Sequence, residues 1–200
     1  MLPAQSCLSR KLAAVIFLAF FGDPAQAITL ASKGGGVVIS GKIKQGDQFE
    51  FRDFVNQNSP RFVELNSGGG SIEAAGEIGR IIRAKKLPTV VDASVDRCGS
   101  ACTIIFASGV SRHYVAAEKI QERVDKTNGR GLGYHEGNSF LANGKKGQSG
   151  RATGAAIGWY YEFGSAKAAS LATKADWKHF YYISAATALE MGIATSTNRP

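Results

Sequence analysis

Residues 61–72 read Arg61-Phe-Val-Glu-Leu-Asn-Ser-Gly-Gly-Gly-Ser-Ile72, an apolar run that reaches three glycines and leads into a helical pattern. The run 61–66 is typical of a β-strand, and the serine and glycines at 67–70 mark a turn. From Ser71 onward, apolar residues recur at spacings of three and four, which predicts a helix with one buried face: Ile72, Ala75, Ile78 and Ile82. A strand that passes through glycines into an amphipathic helix is the repeating unit of an α/β fold.

The same alternation extends on both sides of this unit. Strands are predicted at 37–43, 87–93, 113–115 and 132–135, and helices at 49–56, 103–108, 155–163, 166–173 and 184–191. Residues 28–36 are predicted to be a mobile entry, and residues 121–130 an exposed loop or helix. The sequence therefore predicts one α/β domain over residues 28–200, with a mostly parallel sheet covered by helices.

Residues 1–27 have the pattern of a secretory signal peptide. Arg10 and Lys11 precede an apolar core at 12–21, and Ala25-Gln-Ala27 provides the small residues of a cleavage site. The alternative, an uncleaved membrane anchor, would need roughly 20 apolar residues, and this core is much shorter. We expect cleavage after Ala27, a periplasmic or secreted protein, and no membrane span afterwards.

Composition restricts the class of protein. The chain has 200 residues, of which 44% are hydrophobic and 20% charged, and this balance excludes disordered, collagen-like and coiled-coil chains. The net charge is +8, but lysines and arginines are scattered and form no zinc finger, RNA-binding signature or basic helix. A solvated basic face is the favoured interpretation, with binding of an acidic polymer as the weaker one. No nucleic-acid partner is expected.

Ser100 is the most suggestive candidate for chemistry. It lies in Cys98-Gly-Ser-Ala-Cys102, where a strand meets an apolar helix that Gly109 stops. Backbone N–H groups and the helix dipole at such a junction stabilise a developing negative charge. Serine is also a preferred N-cap, so local sequence alone leaves a nucleophile and a capping residue both open.

The histidines and the glycine turn add weaker signals. The turn at 67–70 can present N–H groups to an anion, or be a plain turn, and it is neither a Walker loop nor a dinucleotide-binding motif. His135 follows a strand, at the edge of the sheet where catalytic groups collect. His113 is predicted to be exposed and His179 to be a packing residue among aromatic side chains. No histidine has metal-ligand spacing, so no metal is expected.

Cys98 and Cys102 flank Ser100. Removal of the leader would take away Cys7 and leave this pair. One helical turn separates Cα atoms by roughly 6 Å, which lies within disulfide range. A disulfide that braces the turn of Ser100 and two small buried thiols are both compatible with the sequence.

In combination, these segments resemble the proteolytic subunit of Clp protease. The resemblance rests on Leu65-Asn-Ser-Gly-Gly-Gly-Ser-Ile72, on Ser100, on Gly133-Tyr-His-Glu136 and on the terminal stretch 184–193. It covers about residues 37–195. The chain resembles more closely a branch of exported bacterial Clp-protease-like proteins that carry a Cys-x-Ser-x-Cys motif.

The resemblance implies a ClpP/crotonase-like spiral of β-β-α units and a serine peptidase. Ser100 would be the nucleophile and His135 the general base. The N–H groups of Gly70 and Ala101 would form the oxyanion hole, with Gly69 beside them. Peptides or proteins would be substrates, no cofactor is implied, and a homo-oligomer is compatible with the family.

Departures from the family pattern concern the acid of the triad. The usual proline of the glycine motif is Gly68 here, and the polar stretch 121–130 fits an insertion. Phe180 occupies the position expected for the acid, and the nearest carboxylate is Asp176. The site would then be a triad that uses Asp176 or a Ser-His dyad. The alternative is a catalytically inactive member that acts as a periplasmic binding or scaffold protein.

Overall fold

The computed structural model describes residues 27–126 and 129–200. The strands in them are β1 (Thr29–Lys33), β2 (Gly36–Ser40), β3 (Val63–Asn66), β4 (Thr89–Asp92), β5 (Arg97–Gly99), β6 (Arg112–Val115), β7 (Arg123–Asp125), β8 (Gly131–Tyr134), β9 (Asn138–Phe140), β10 (Lys146–Gln148) and β11 (Phe180–Tyr182). The helices are α1 (Asp47–Asn58), α2 (Ile72–Ala84), α3 (Ala101–Ser108), α4 (Gly150–Glu162), α5 (Ala166–Leu171) and α6 (Ala185–Glu190). The predicted signal peptide lies outside these residues except for Ala27. No helix in the described part of the chain is long and apolar enough to span a bilayer.

The larger sheet has the strand order β1-β2-β3-β4-β6. Strands β2, β3, β4 and β6 are parallel, and β1 adds an antiparallel edge. Helices α1, α2 and α3 lie in the connections between these parallel strands, as crossover connections require. This arrangement brings the carboxyl ends of β2 and β3 to the same edge of the sheet.

A second sheet has the order β5-β8-β11-β7, in which β5 and β8 are parallel and the other pairs antiparallel. Two hydrogen bonds at Ser67 connect it to the larger sheet. The Ser67 N–H donates to the Arg97 carbonyl at 2.9 Å, and the Gly99 N–H donates to the Ser67 carbonyl at 3.0 Å. The glycine turn after β3 is therefore fixed beside the junction of β5 and α3.

Helix α3 forms the centre of the core. All eight of its residues are buried, and it packs against α2, α4 and β4. Its aliphatic and aromatic side chains, Ile104, Ile105 and Phe106, are fully inaccessible to solvent. Burial of each contributes roughly 1.5–3 kcal/mol to the free energy of unfolding. The residue that precedes α3 is therefore attached to one of the most rigid parts of the molecule.

The predicted mixed α/β architecture, with parallel strands covered by helices, is confirmed. Several local predictions differ from the structure, and strands β9, β10 and β11 were not predicted. Residues 28–36, predicted to be mobile, contain strand β1, because its backbone pairs with β2 although its side chains are largely exposed. The stretch 121–130 contains the short strand β7, which pairs with β11. Helix α4 begins at Gly150, earlier than predicted, since the Ser149 side chain caps it by accepting a hydrogen bond from the Ala152 N–H.

Candidate active site

Ser100 occupies the turn between β5 and α3 in an unusual backbone conformation. Its φ is 55° and its ψ is −130°, values that a non-glycine residue rarely adopts. Such a conformation costs about 1–3 kcal/mol and persists only where the surroundings enforce it. Here the Ser100 N–H donates to the Gly133 carbonyl at 2.9 Å, and the buried helix α3 fixes the other side. A strained turn between a strand and a helix is also the device that exposes the nucleophile in α/β-hydrolases.

The Ser100 side chain does not cap the helix that it precedes. Ser100 is the N-cap residue of α3 by position, but its side chain makes no capping hydrogen bond. By contrast, the N-cap serines of α2, α4 and α6 accept such a bond, whereas Ser165 before α5 does not. The structure therefore does not support the capping interpretation, and the hydroxyl of Ser100 remains available for other interactions.

The glycine turn after β3 lies directly against this serine. A Cβ atom on Gly69 would lie 2.6 Å from the Ser100 Cβ and 3.0 Å from the Ala101 nitrogen. Gly69 also has a φ of 96° and Gly70 a φ of 148°, so both positions require glycine. The turn therefore comes as close to Ser100 as a polypeptide backbone can.

Two backbone N–H groups near Ser100 donate to no acceptor among the residues that the structure describes. The Gly69 N–H donates to the Ser67 hydroxyl at 3.1 Å and is therefore occupied. No hydrogen bond among the described residues uses the N–H of Gly70. Ala101 is the first residue of α3, and the first N–H groups of a helix have no partner within the helix. These are the two donors that the resemblance to Clp protease implies for an oxyanion hole.

His135 and Ser100 line one cavity of about 520 Å³. The strands β5 and β8 are adjacent and parallel, so Ser100 after β5 and His135 after β8 emerge at the same edge of the second sheet. The glycines at 68–70 and the side chains of Trp177 and Phe180 complete part of the cavity wall. No hydrogen bond joins Ser100 to His135 within the described part of the chain.

The imidazole of His135 is held by a backbone carbonyl. Its Nδ1 lies 2.5 Å from the carbonyl oxygen of Glu136. A carbonyl can only accept, so Nδ1 carries the proton and Nε2 presents a lone pair in the neutral ring. Burial lowers the pKa of His135 below its usual 6.5, and the Glu136 carbonyl and the charge of Asp176 oppose this shift more weakly. His135 is consequently neutral at pH 7.

Phe180 packs against His135 where the family pattern would have an acid. The two ring centroids are 4.6 Å apart at an angle of 79°, an edge-to-face contact. Asp176 does not take over the missing role by a hydrogen bond. Its carboxylate accepts from His179 Nδ1 at 2.7 Å and from the Lys178 N–H at 2.8 Å. The structure thus brings Ser100 and His135 into one cavity and joins Asp176 to His179 instead of to His135.

Cys98 and Cys102 form a disulfide across the turn that carries Ser100. Their Cα atoms are 5.2 Å apart, and both residues are fully buried. Of the two alternatives that the sequence left open, the structure has the disulfide. It ties the last residues of β5 to the first turn of α3.

A buried hydroxyl relay below Ser100 was not predicted from the sequence. The Thr103 hydroxyl donates to the Ser100 carbonyl at 2.6 Å and also lies 2.5 Å from the Tyr160 hydroxyl. Thr103 lies in the first turn of α3, so its proximity to the Ser100 carbonyl follows from helix spacing. Tyr160 comes from the distant helix α4, and no local pattern marks it.

The other two histidines lie away from Ser100. The prediction that His113 is exposed is wrong: the residue is 8% exposed, and its ring nitrogens contact Ser111 Oγ and the Asn198 carbonyl. The C-terminal segment covers it, and sequence periodicity does not reveal such a contact. His179 is partly buried and pairs with Asp176. No group of potential metal ligands occurs among the residues described.

Comparison with known proteins identifies the fold. No protein-family model matches the chain, and no curated protein matches it. A serine-to-alanine mutant of the 1510-N membrane-bound stomatin-specific protease is 16% identical, with a TM-score of 0.57 over 82% of this chain and 78% of that one. A lysine-to-alanine mutant of the same protease in complex with a substrate peptide is also 16% identical, with a TM-score of 0.56 over 82% of this chain and 74% of that one.

A third solved structure is the ClpP protease catalytic domain from Plasmodium falciparum. It is 16% identical and covers 82% of this chain and 85% of its own, with a TM-score of 0.48. At these identities the similarity shows the fold alone, and this conclusion rests on the first two structures. The chain therefore has the α/β fold of ClpP-like proteases, as its sequence motifs predicted.

Proposed function

We propose that this chain is a serine hydrolase that cleaves peptide bonds, with Ser100 as nucleophile and His135 as general base. The observation that carries the proposal is the conformation of Ser100. Its strained backbone holds an uncapped hydroxyl at the end of a buried helix, in the same cavity as a neutral histidine. A structural serine would gain nothing from this strain.

The chemistry follows from these positions. The Ser100 Oγ attacks the carbonyl carbon of the peptide bond while His135 Nε2 takes its proton. The oxyanion of the tetrahedral intermediate accepts hydrogen bonds from the N–H groups of Gly70 and Ala101. His135 then protonates the departing amine, which leaves an acyl group on Ser100. Water gives a proton to His135, attacks the ester, and releases the acid as the proton returns to Ser100.

We assign the orientation of His135 to the Glu136 carbonyl, so that the site works as a Ser-His dyad. The hydrogen bond from Nδ1 fixes the tautomer in which Nε2 is basic. A neutral carbonyl stabilises the imidazolium less than a carboxylate would, so we expect slower turnover than in a complete triad. Asp176 contributes through its charge, at longer range.

The test is labelling of the purified protein with a fluorophosphonate probe, which reacts with activated serines. We expect labelling of the wild type, its loss in Ser100→Ala and strong slowing in His135→Gln. Ser170→Ala, on the exposed face of α5, is the matched control and should label normally. An unlabelled wild type with an intact circular-dichroism spectrum would exclude a working nucleophile.

A catalytically inactive binding protein is the second candidate. The observation in its favour is Phe180, whose ring occupies the side of His135 where an acid would be expected. This candidate predicts no labelling together with measurable binding of peptides to the cavity. The labelling experiment above therefore separates the two functions.

Export to the periplasm or the exterior is also part of the proposal. It rests on the signal-peptide pattern at 1–27, and the Cys98–Cys102 disulfide supports it, because such bonds persist in oxidising compartments. Intact-mass analysis of the protein recovered from its producing cells should give a chain that begins at Ile28. Recovery of the full-length chain in the cytoplasm would contradict export.

A further inference from the structure

The cavity that holds Ser100 is lined by basic side chains from three separate elements. Lys42 follows β2, Arg97 belongs to β5 and Lys146 belongs to β10. No carboxylate is among the described residues that line this cavity. Three positive charges around a concave surface produce a positive local potential, which attracts anionic groups.

These three cations form no ion pair with any carboxylate that the structure describes. No ion pair within residues 27–126 and 129–200 includes Lys42, Arg97 or Lys146. Some other cations of the described residues do pair with carboxylates, such as Arg80 with Glu162 and Arg199 with Glu64.

The nearby acidic residues form no ion pair with these cations. Glu136 accepts a hydrogen bond from Gln148, and Asp176 accepts one from His179. Neither carboxylate lines the cavity. The three basic side chains of the cavity wall can therefore bind an anionic ligand.

Aromatic side chains form an apolar part of the cavity wall. Phe140, Trp177 and Phe180 all line the cavity, and Lys146 Nζ lies 5.9 Å from the centre of the Phe140 ring. An apolar surface beside a cation strengthens the attraction for a carboxylate, because it excludes part of the screening water. This combination suits an extended peptide with acidic side chains and poorly suits a basic one.

We propose that the substrate is an acidic peptide, with aspartate or glutamate side chains next to the bond that Ser100 attacks. This inference rests on the proposed function for its catalytic consequence, but the binding preference can be measured without catalysis. The carboxylates would lie against Lys42, Arg97 and Lys146 while the scissile carbonyl reaches Ser100. Each exposed pair alone contributes a factor of about 1.5 to 5, so three together predict a preference of about tenfold.

The test is fluorescence anisotropy with Ser100→Ala protein, which binds without turnover. Fluorescein-labelled peptides are compared in pairs that differ only in glutamate against glutamine. Each pair is made with an amidated and with a free C-terminus. We expect about tenfold tighter binding of the glutamate peptide in the amidated pair, and a smaller difference at 0.5 M salt, since salt screens exposed charges.

Two triple variants identify the cavity as the origin of the preference. Replacing Lys42, Arg97 and Lys146 by glutamine should abolish it. Replacing Lys85, Lys119 and Lys167 by glutamine removes the same charge from exposed positions that do not line the cavity, and should preserve it. Equal losses in both variants would mean non-specific attraction to a basic surface and would overturn the proposal.

Two further outcomes also overturn it. One is equal affinity for the glutamate and glutamine peptides, and the other is a preference confined to peptides with a free C-terminus. Fluorophosphonate labelling of Ser100 in the wild type tests the hydrolase function independently. Labelling without an acidic preference rejects this inference alone, whereas an acidic preference without labelling rejects the hydrolase and keeps the ligand class.

Discussion

Gly69 and Ser100 face each other so closely that a Cβ atom on Gly69 would lie 2.6 Å from the Cβ of Ser100. The contact connects the turn after β3 with the turn before α3, and so connects the two sheets at the candidate site. It also explains why the glycine turn that dominates the sequence pattern tolerates no side chain here. The position of the serine hydroxyl depends on this contact.

We therefore predict that Gly69→Ala abolishes fluorophosphonate labelling while the protein still folds. The added methyl must displace Ser100, and a displacement of about 1 Å at a reacting atom costs about a hundredfold in rate. Gly164→Ala is the matched control, because Gly164 also has a positive φ, 71°, but open space where the Cβ would lie. Gly164→Ala should lose about 1–2 kcal/mol of stability, the cost of a left-handed alanine. Gly69→Ala should lose more, because its methyl also meets the Gly99 carbonyl oxygen at 2.7 Å. Only Gly69→Ala should lose labelling, and normal labelling of this variant would contradict the close approach.

The relay of hydroxyls below Ser100 predicts unequal effects of two conservative substitutions. Thr103→Val removes the hydroxyl donor to the Ser100 carbonyl and leaves only the Thr103 N–H, at 2.9 Å. It also leaves the buried Tyr160 hydroxyl without its partner, which costs about 1–3 kcal/mol. Tyr160→Phe leaves Thr103 with the carbonyl and should cost about 1 kcal/mol.

Urea denaturation measures both losses, and Thr103→Val should also slow labelling because the peptide after Ser100 becomes less fixed. Tyr161→Phe serves as control, since that side chain is 63% exposed and should change neither quantity. A larger loss of stability for Tyr160→Phe than for Thr103→Val would be inconsistent with the relay.

Much of the fold was predictable from the sequence because its units carry strong local signals. Helix α2 has three-and-four spacing and a serine cap, and α3 is apolar on all sides. The missed strands lack such signals. Strands β9 and β10 have three residues each, too few for an alternation, and β1 is mostly exposed, so pairing of its backbone with β2 defines it.

The candidate site was predictable only in part, for a related reason. Ser100 and His135 each follow a strand, and the edge of a parallel pair is where such residues meet. Tyr160 reaches the site from a helix distant in sequence. Phe180 contacts His135 through the short strand β11, and only the resemblance to the family placed it there. Contacts of this kind depend on how elements pack, which residue spacing within one element does not encode.

The disulfide across the Ser100 turn predicts a loss of stability when it is removed. Replacing Cys98 and Cys102 together by alanine frees a short loop in the unfolded chain, and loop-closure entropy gives a cost of about 2 kcal/mol. We also expect slower labelling, since the strained turn loses a covalent brace. Thermal unfolding and labelling of the double variant measure both effects. Dithiothreitol should lower the melting temperature of the wild type and leave that of the double variant unchanged, and equal shifts in both would contradict this role.

The burial of His135 predicts the pH dependence of the labelling rate. Only the neutral imidazole can act as the base, and burial lowers the pKa of His135 below 6.5. The rate should therefore rise with pH, reach half its maximum below pH 6.5, and stay constant through neutral pH. The same shift means that the unfolded chain binds more protons than the native one near this pKa, so stability should fall as pH falls below about 6.5.

Asp176→Asn should move the midpoint further down without lowering the plateau, because the charge of Asp176 raises the pKa of His135 while its hydrogen bonds go to His179 and Lys178. A collapse of the plateau in Asp176→Asn would instead identify Asp176 as the orienting acid of a triad.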